Sequence, residues 1–494
     1  MTEGTIVNRF CIGSLCLFLL ITCHNVRGQK TFNVLVKDST HDYCVKDVIE
    51  TNEGHFILAA IKDIYNADAS TAELIELSDE GKVLKRKEMR FEGMPSGFIS
   101  VCQYSDNEFL LGGFTRTGVS TNIWLCVIDT AFNVKQNKSV PINGYNLFYG
   151  RVLRDHIGNF FCFGTLEDTT SYKQDYAFLY QLSPGFDSMK LKVYSEHWAW
   201  GMDLIERNDQ KGFYFVGVGF ASTGEAGKLV TIDRDLNISR INSLQEDFEN
   251  MSNVKYMDDR HLVVTGERRY SYPLNDPRDI GVLKYDTMFN LVHSVAYGKI
   301  DTEDGPSFIK NIAVQSTKSI FIGGTANLCF SAFYANQPSW FMLNNTDTSL
   351  SPKWQKFFGG DGYCTLWGII PTKDSGCLMY GTFWDYQHIA EYVNYISVIK
   401  VNKDGLLLGI DGEPSSLMKD VIIYPNPGSD RIWVITQLPE TSIEFYDITG
   451  KTVLKRPLMP GRTQIETSEL SRGMYIYRVF NKTRQIQTGK WIKN

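Results

Sequence analysis

The chain has 494 residues, of which 43% are hydrophobic, 21% charged and 13% aromatic, enough apolar surface for a large core and too much for wholesale disorder. Its 50 Lys and Arg against 56 Asp and Glu leave a formal charge of −6, the wrong sign for a general nucleic-acid binder. Forty-one Gly beside 30 Phe and 25 Tyr is the composition of short strands and tight turns.

Arg9 is followed by an apolar run from Phe10 to Ile21, and the chain turns polar at His24 and Asn25. A bilayer-spanning helix needs roughly 20 apolar residues, so residues 1–28 read as a secretory signal peptide. Cleavage is expected between Gly28 and Gln29, with Val26 at the −3 position. An alternative takes Leu20, Ile21, Thr22 and Cys23 as a lipoprotein box acylated at Cys23, although Thr22 departs from the small residue usual there. No later stretch reaches membrane-spanning length, so no transmembrane span is expected. Cys11, Cys16 and Cys23 leave with the signal; Cys44, Cys102, Cys126, Cys162, Cys329, Cys364 and Cys377 remain. Their wide spacing and the lack of any CxxC indicate neither a zinc site nor a disulfide framework. A single disulfide stays open, and Cys126, Cys162 and Cys377, inside apolar runs, read as small core residues.

From residue 45 to 413 a unit recurs at steps of roughly 50 residues. Its anchor is an apolar run ending in Gly or Ala: Phe56 to Ala60, Phe109 to Gly113, Phe160 to Gly164, Phe213 to Gly217, Leu262 to Gly266, Ile320 to Gly324 and Cys377 to Gly381. A short alternating segment precedes each anchor, and a third run follows, such as Ile123 to Ile128 or Ile396 to Ile399, closed by a polar turn such as Asp233-Arg234-Asp235. A fourth segment comes last, clearest at Trp354 to Phe358. Four strands of about five residues fit a repeat of this length and predict one propeller blade per unit, hence a seven-bladed β-propeller over residues 29–415. Phe32 to Val36 is expected to add a strand to the last blade. The ending Trp354-Gln355-Lys356-Phe357-Phe358-Gly359-Gly360 resembles that of a broad class of bacterial secreted propeller repeats, a resemblance that implies no particular activity.

After Pro414 the pattern changes to shorter alternating strands, among them Ile432 to Ile435, Ile443 to Tyr446 and Met474 to Val479. They predict a small immunoglobulin-like β-sandwich over residues 416–494. Four pieces stand in order: Tyr424-Pro425-Asn426-Pro427, Tyr446-Asp447-Ile448-Thr449-Gly450-Lys451, Leu470 to Tyr477 with Gly473 and Tyr475, and Gly489-Lys490-Trp491-Ile492-Lys493. In these the segment resembles the type A C-terminal sorting domain of the type IX secretion system of Bacteroidetes. The resemblance implies Sec-dependent export, passage across the outer membrane with the type IX machinery as partner, removal of the domain, and release or attachment at the cell surface.

For the preceding body the chemistry is sparse. There is no GxSxG, HExxH, GxxxxGK[ST] or EF-hand loop, so no catalytic residue, metal site or cofactor is expected. Gly217 to Ser222 has Ser222 where a dinucleotide loop needs glycine, and no βαβ unit surrounds it. Asp155-His156 and Glu196-His197 read as turn and surface residues. Loops expected on one face carry Trp198, Trp200, Arg268, Tyr270, Tyr334, Trp384 and Tyr386, a rim that would suit a glycan, peptide or protein ligand; the other reading folds these rings under the loops as satellite cores. The main expectation is an exported, non-enzymatic binding or display protein. One alternative is a glycan-active hydrolase or lyase, which clustered carboxylates near Asp47 and Asp203 would favour. Another is a scaffold subunit of a surface complex. Asp168-Thr169-Thr170 and Asp286-Thr287-Met288 resemble O-glycosylation acceptors of the same bacteria.

Overall fold

The computed structural model describes residues 29–493 apart from 38–40, 64–68, 170–173, 195–199, 222–223, 244–247, 269–277, 299–301, 330–333, 388–392, 408–420, 425–427, 437–439, 460 and 483. The expected signal peptide with Gly28, and Glu196, His197, Trp198, Tyr270, Pro425, Asn426 and Pro427, lie outside the described residues. Among the described residues every element is a β-strand, and no helix is long and apolar enough to cross a membrane.

The first sheet shows how sequence becomes sheet. Its strands Tyr43–Glu50, Phe56–Lys62, Thr71–Leu77 and Val83–Met89 pair antiparallel in chain order. The second and third strands are buried almost throughout and so read as continuous apolar runs, whereas the fourth alternates toward solvent, as an edge strand with one wet face does. The pattern repeats over 96–140, 145–194, 200–243, 248–297 and 305–359. In the seventh sheet, over 363–401, Phe32–Val36 supplies the outer strand, pairing Phe32 with Lys400 and Val36 with Ile396.

Neighbouring sheets share cores: Ile57 and Ala59 pack with Phe98, Phe109 and Trp124, and Phe161 and Phe163 with Phe213 and Phe215. The first and seventh sheets do the same through Phe56, Ile75, Trp367 and Tyr380. Residues 421–493 form a three-stranded and a four-stranded sheet over one core of Val421, Ile432, Ile465, Phe445, Tyr477 and Trp491. The expected fold class, a seven-bladed β-propeller followed by an immunoglobulin-like sandwich, is corrected here. Among the described residues the strands form nine separate antiparallel sheets, none of which closes on itself. The repeats had announced the number and order of the sheets. What joins one sheet to the next, however, is side-chain packing and a few hydrogen bonds between sheets, which a strand pattern does not encode. The architecture is an all-β array of successive open sheets, mostly four-stranded.

One turn recurs in all seven sheets of the body after the third strand. Residue i accepts the N–H of residue i+3, which has a left-handed φ: Gly81 (80°), Phe132 (64°), Phe186 (63°), Leu236 (60°), Phe289 (63°), Leu350 (60°) and Gly405 (68°). Non-glycine residues rarely adopt this conformation, at a cost of about 1–2 kcal/mol. Burial of Phe132, Phe186, Leu236 and Leu350 at 0% exposure returns about 1.5–3 kcal/mol each, so the plug wins. Where the residue is glycine, an aromatic ring occupies the space: a Cβ on Gly81 would lie 2.6 Å from the Phe32 ring, and one on Gly405 2.7 Å from Trp354. The five turns without glycine are each clamped by a side-chain donor of the sheet before, as Lys87 Nζ donates to Phe132 O at 2.7 Å and Tyr194 Oη to Leu236 O at 3.0 Å. Phe132→Ala should therefore cost about 3–5 kcal/mol, and Phe132→Gly should cost less than Phe132→Ala, since glycine relieves the φ penalty. Urea unfolding of both variants, with alanine the milder, would refute the plug.

Two turn carboxylates couple this architecture to pH. The Lys135 ammonium, then the Asn133 N–H, hold Asp129 well below the usual carboxylate range, and the Ser349 hydroxyl, then its N–H, lower Asp347. A depressed folded pKa means that the stabilisation is complete above the unfolded value, about 3.9, and is lost as pH falls through the lower folded values. The melting midpoint should then decline between about pH 4 and pH 2, and the decline should be shallower in an Asp129→Asn/Asp347→Asn double variant, with the remainder carried by other lowered carboxylates such as Asp286 and Asp374; an identical slope in the double variant would refute the assignment. The seven remaining cysteines are free thiols, and burial pushes Cys44 up to about 11 and Cys364 up to about 12.

Candidate functional site

The innermost strands of the body carry a β-bulge at the same place, between Val45 and Asp47, Phe98 and Ser100, Gly201 and Asp203, and Met251 and Asn253. A bulge re-aims the side chain beside it. Asp47 Oδ2 accepts Val101 N at 3.0 Å, Ser100 Oγ accepts Val152 N at 3.1 Å, Asp203 Oδ2 accepts Val254 N at 3.2 Å, and Asn253 Oδ1 accepts Asn311 N at 2.7 Å. In each case a polar inner-strand residue satisfies the backbone of a later sheet.

In the sixth sheet the inner strand is split into Gly305–Pro306 and Ile312–Ser316, both paired with Ser319–Ala326. Ser307 and Asn311 still bond Gly323 through the backbone, while residues 308–310 leave the ladder between them and reach strands of other sheets. Ile309 N donates to Trp367 O at 2.9 Å and Ile369 N to Lys310 O at 2.6 Å. Ile309 O accepts Asn253 Nδ2 at 2.7 Å and Arg151 Nη1 at 3.4 Å.

Both inner carboxylates are committed to cations at this junction. Asp47 pairs with Lys310 Nζ at 2.5 Å and accepts Val48 N and the Tyr380 hydroxyl. Asp203 pairs with Arg151 Nη1 and Lys255 Nζ, each at 3.0 Å. Burial lowers the Lys255 pKa, with Asp203 acting against it; burial, then Asp47, drives the Tyr380 phenol well up. A two-carboxylate glycosidase needs one carboxyl kept protonated and both open to substrate. Asp47 and Asp203, 1% exposed, instead hold strands together. Arg151, Lys255 and Lys310 were missed in the sequence because their partners lie in other repeats. Lys46, whose ammonium sits 3.5 Å from the centre of the Trp367 ring, was missed too. The one available signal was the recurrence of Asp47, Ser100, Asp203 and Asn253 at equivalent repeat positions.

The expected rim is brought together only in part. Tyr334, Trp384 and Tyr386 meet, Trp384 lying edge-on to Tyr334 at 5.2 Å and tilted to Tyr386 at 6.1 Å, over Leu328 and Tyr363. Trp384 is only 4% exposed, and the Tyr334 hydroxyl donates to Asp42 Oδ1 at 2.8 Å. Trp200, in the fourth sheet, donates its indole N–H to Asp175 at 2.8 Å, and Arg268, in the fifth, lies over the Phe248 ring at 5.4 Å. Trp384→Ala should cost about 3–5 kcal/mol, read as a lowered melting midpoint; an unchanged midpoint would show that the ring is not a core element.

Asp155 and His156, read as turn residues, join an ion network. Arg234 bridges Asp155, at 3.0 Å, and Glu206, which also accepts His156 N at 2.9 Å. A cleft of about 240 Å³ between the sixth and seventh sheets is lined by Leu35, Phe341, Phe358, Cys364 and Phe383, small for a ligand pocket. Among the described residues no group of His, Cys, Asp or Glu could hold a metal ion.

In the C-terminal unit the motif residues have separate structural tasks. Asp447 Oδ1 accepts Thr449 N at 2.9 Å and Lys451 N at 3.1 Å, which sets the turn where Gly450 takes φ 85°. Gly473 opens the strand Gly473–Asn481, whose Tyr475 and Tyr477 point into the core beside Trp491. Gly489 faces Tyr477, and a Cβ there would lie 2.4 Å from its hydroxyl. Lys493, 7% exposed, donates to Asp430 at 3.0 Å and Thr467 O at 2.6 Å, tying the last strand to the other sheet. Tyr424 lies in the strand Val421–Tyr424, and the exposed Lys490 in the final strand.

No curated protein matches the chain. Solved structures that align with it include a mitotic checkpoint complex (10% identity, 75% of this chain and 95% of that one, TM-score 0.44). Others are an oligogalacturonate lyase in complex with manganese (13%, 88% and 99%, 0.39) and PorZ of Porphyromonas gingivalis, a surface component of its type IX secretion system (10%, 96% and 88%, 0.24). All three TM-scores fall below 0.5, and none carries an argument about what this chain does. Residues 422–494 match the family described as the secretion system C-terminal sorting domain. The resemblance drawn from the motifs thus holds: the chain ends in a secretion sorting domain, and the protein is secreted or placed at the cell surface.

Proposed function

We propose that this chain is a scaffold subunit of a surface assembly, carried out of the cell by the type IX machinery through its C-terminal unit. In this reading residues 1–28 are removed before Gln29, residues 29–415 form the working body, and residues 416–494 serve delivery. What supports it is the junction at residues 307–311, where the inner carboxylates that a glycan-active enzyme would need are bound to Lys310, Arg151 and Lys255. With Trp384 buried as well, the outer surfaces of the body are what it offers to others.

The test is purification of the tagged full chain from the surface of a type IX-competent bacterium under mild detergent, with its mass measured by light scattering. A stable complex with a fixed stoichiometric partner is expected. A monodisperse free chain would overturn the scaffold reading, and turnover of a glycan by that free chain would replace it with the enzymatic one.

A further inference from the structure

The C-terminal unit uses most of its motif residues to build itself, which isolates those left for recognition. Strands Thr441–Tyr446, Thr452–Leu458, Gly473–Asn481 and Arg484–Lys493 form one four-stranded sheet. In Gly473–Asn481 the residues alternate strictly, with Tyr475, Tyr477 and Val479 buried and Met474, Ile476 and Arg478 exposed. The solvent face of such a sheet is ordinarily polar. Here Met474 is 46% exposed, Ile476 39% and Ile492 44%.

The register makes these three contiguous. Met474 stands opposite Ile492, while Ile476 lies between Tyr446 and Lys490 in the next row. The row after it runs Lys455, Glu444, Arg478 and Thr488. Glu444 is taken up by Lys455 at 2.5 Å, and Arg478 lies over the Tyr446 ring at 4.9 Å. These rows carry three cations against one carboxylate, so the rim of the apolar strip is positive.

Resting on the sorting reading above, we propose that this outer face, centred on Met474, Ile476 and Ile492 and edged by Arg478 and Lys490, is the surface by which the unit is recognised. The partner it fits is a component of the secretion machinery that presents an apolar patch bordered by carboxylates. An exposed apolar strip with a polar border marks an interaction site, and the cationic edge selects an acidic counterpart and speeds its encounter. None of the three apolar side chains belongs to the core of the unit, so the unit does not need them in order to fold.

The experiment compares export of the full chain in a type IX-competent bacterium for the wild type, Met474→Ser/Ile476→Ser/Ile492→Ser, Arg478→Glu/Lys490→Glu, and a deletion of 422–494. Both surface variants are expected to lose at least about tenfold in extracellular protein and to accumulate in the periplasm. The retained protein should be folded, with the melting midpoint of the purified chain unchanged. If the deletion blocks export while either surface variant is exported normally, this face is not the recognition surface and the sorting reading stands. If the deletion is itself exported normally, the sorting reading fails, and this proposal with it. Should the serine triple fail to fold, the charge-reversal pair decides alone, since both of its side chains lie outside the core.

Discussion

Asp203→Ala is expected to remove about 3–5 kcal/mol of unfolding free energy, the usual cost of deleting one partner of a buried ion pair. Arg151, 7% exposed at its side chain, and Lys255 would be left facing each other without the carboxylate that both contact, and Val254 N would lose its acceptor. Asp203→Asn keeps an acceptor for Val254 and removes only the charge, so it should fall between wild type and alanine. Urea titration of the purified protein, followed by tryptophan fluorescence, checks both variants. An alanine variant within about 1 kcal/mol of wild type would mean that the junction is not the structural knot described above.

Trp491→Ala should have the larger functional effect. The ring is fully buried and packs against Phe445 at 5.7 Å and Tyr475 at 5.8 Å. Truncation should cost about 3–5 kcal/mol, against a total of roughly 4–11 kcal/mol at about 0.05–0.15 kcal/mol per residue for a unit of this size. The variant should be cut within residues 421–493 under limited proteolysis and fail to reach the cell exterior, while the body resists cleavage. Normal export of Trp491→Ala would mean that sorting reads a linear tail and not a folded unit.

The parts of the fold legible in the sequence were those written in local periodicity. Phe56 to Ala60 and Cys377 to Gly381 are recognisable because second strands are buried on both faces, and the polar turns because Asp129 accepts the N–H of Asn133 and Asp233 that of Asn237, across the turn. The sorting unit was legible from its four ordered motifs, in which Gly450 takes a left-handed φ that glycine favours and Gly489 lies against the Tyr477 ring. Strand patterns say nothing of how one sheet meets the next, so the inference from seven repeats to a closed seven-bladed form went beyond them. The junction was illegible for a related reason. Asp47 meets Lys310, and Asp203 meets Arg151, across repeats, and a bulge shifts register by one residue without a fixed residue type to announce it. The choice between a rim and satellite cores was not legible either, because an aromatic residue has the same letter whether it faces solvent or, like Trp384, folds under.

The pairing of Phe32–Val36 with Tyr395–Val401 sets the order of events during synthesis and transport. The first strand of the body cannot take its place until the chain has been made almost to residue 401, some 360 residues later, so the earliest segment to emerge waits the longest for its partner. Contacts of such sequence separation form slowly. Phe32–Val36 stays unpaired throughout that interval, an edge open to pairing with a second copy. For a secreted chain the consequence is that the body is completed only when nearly all of it has been made.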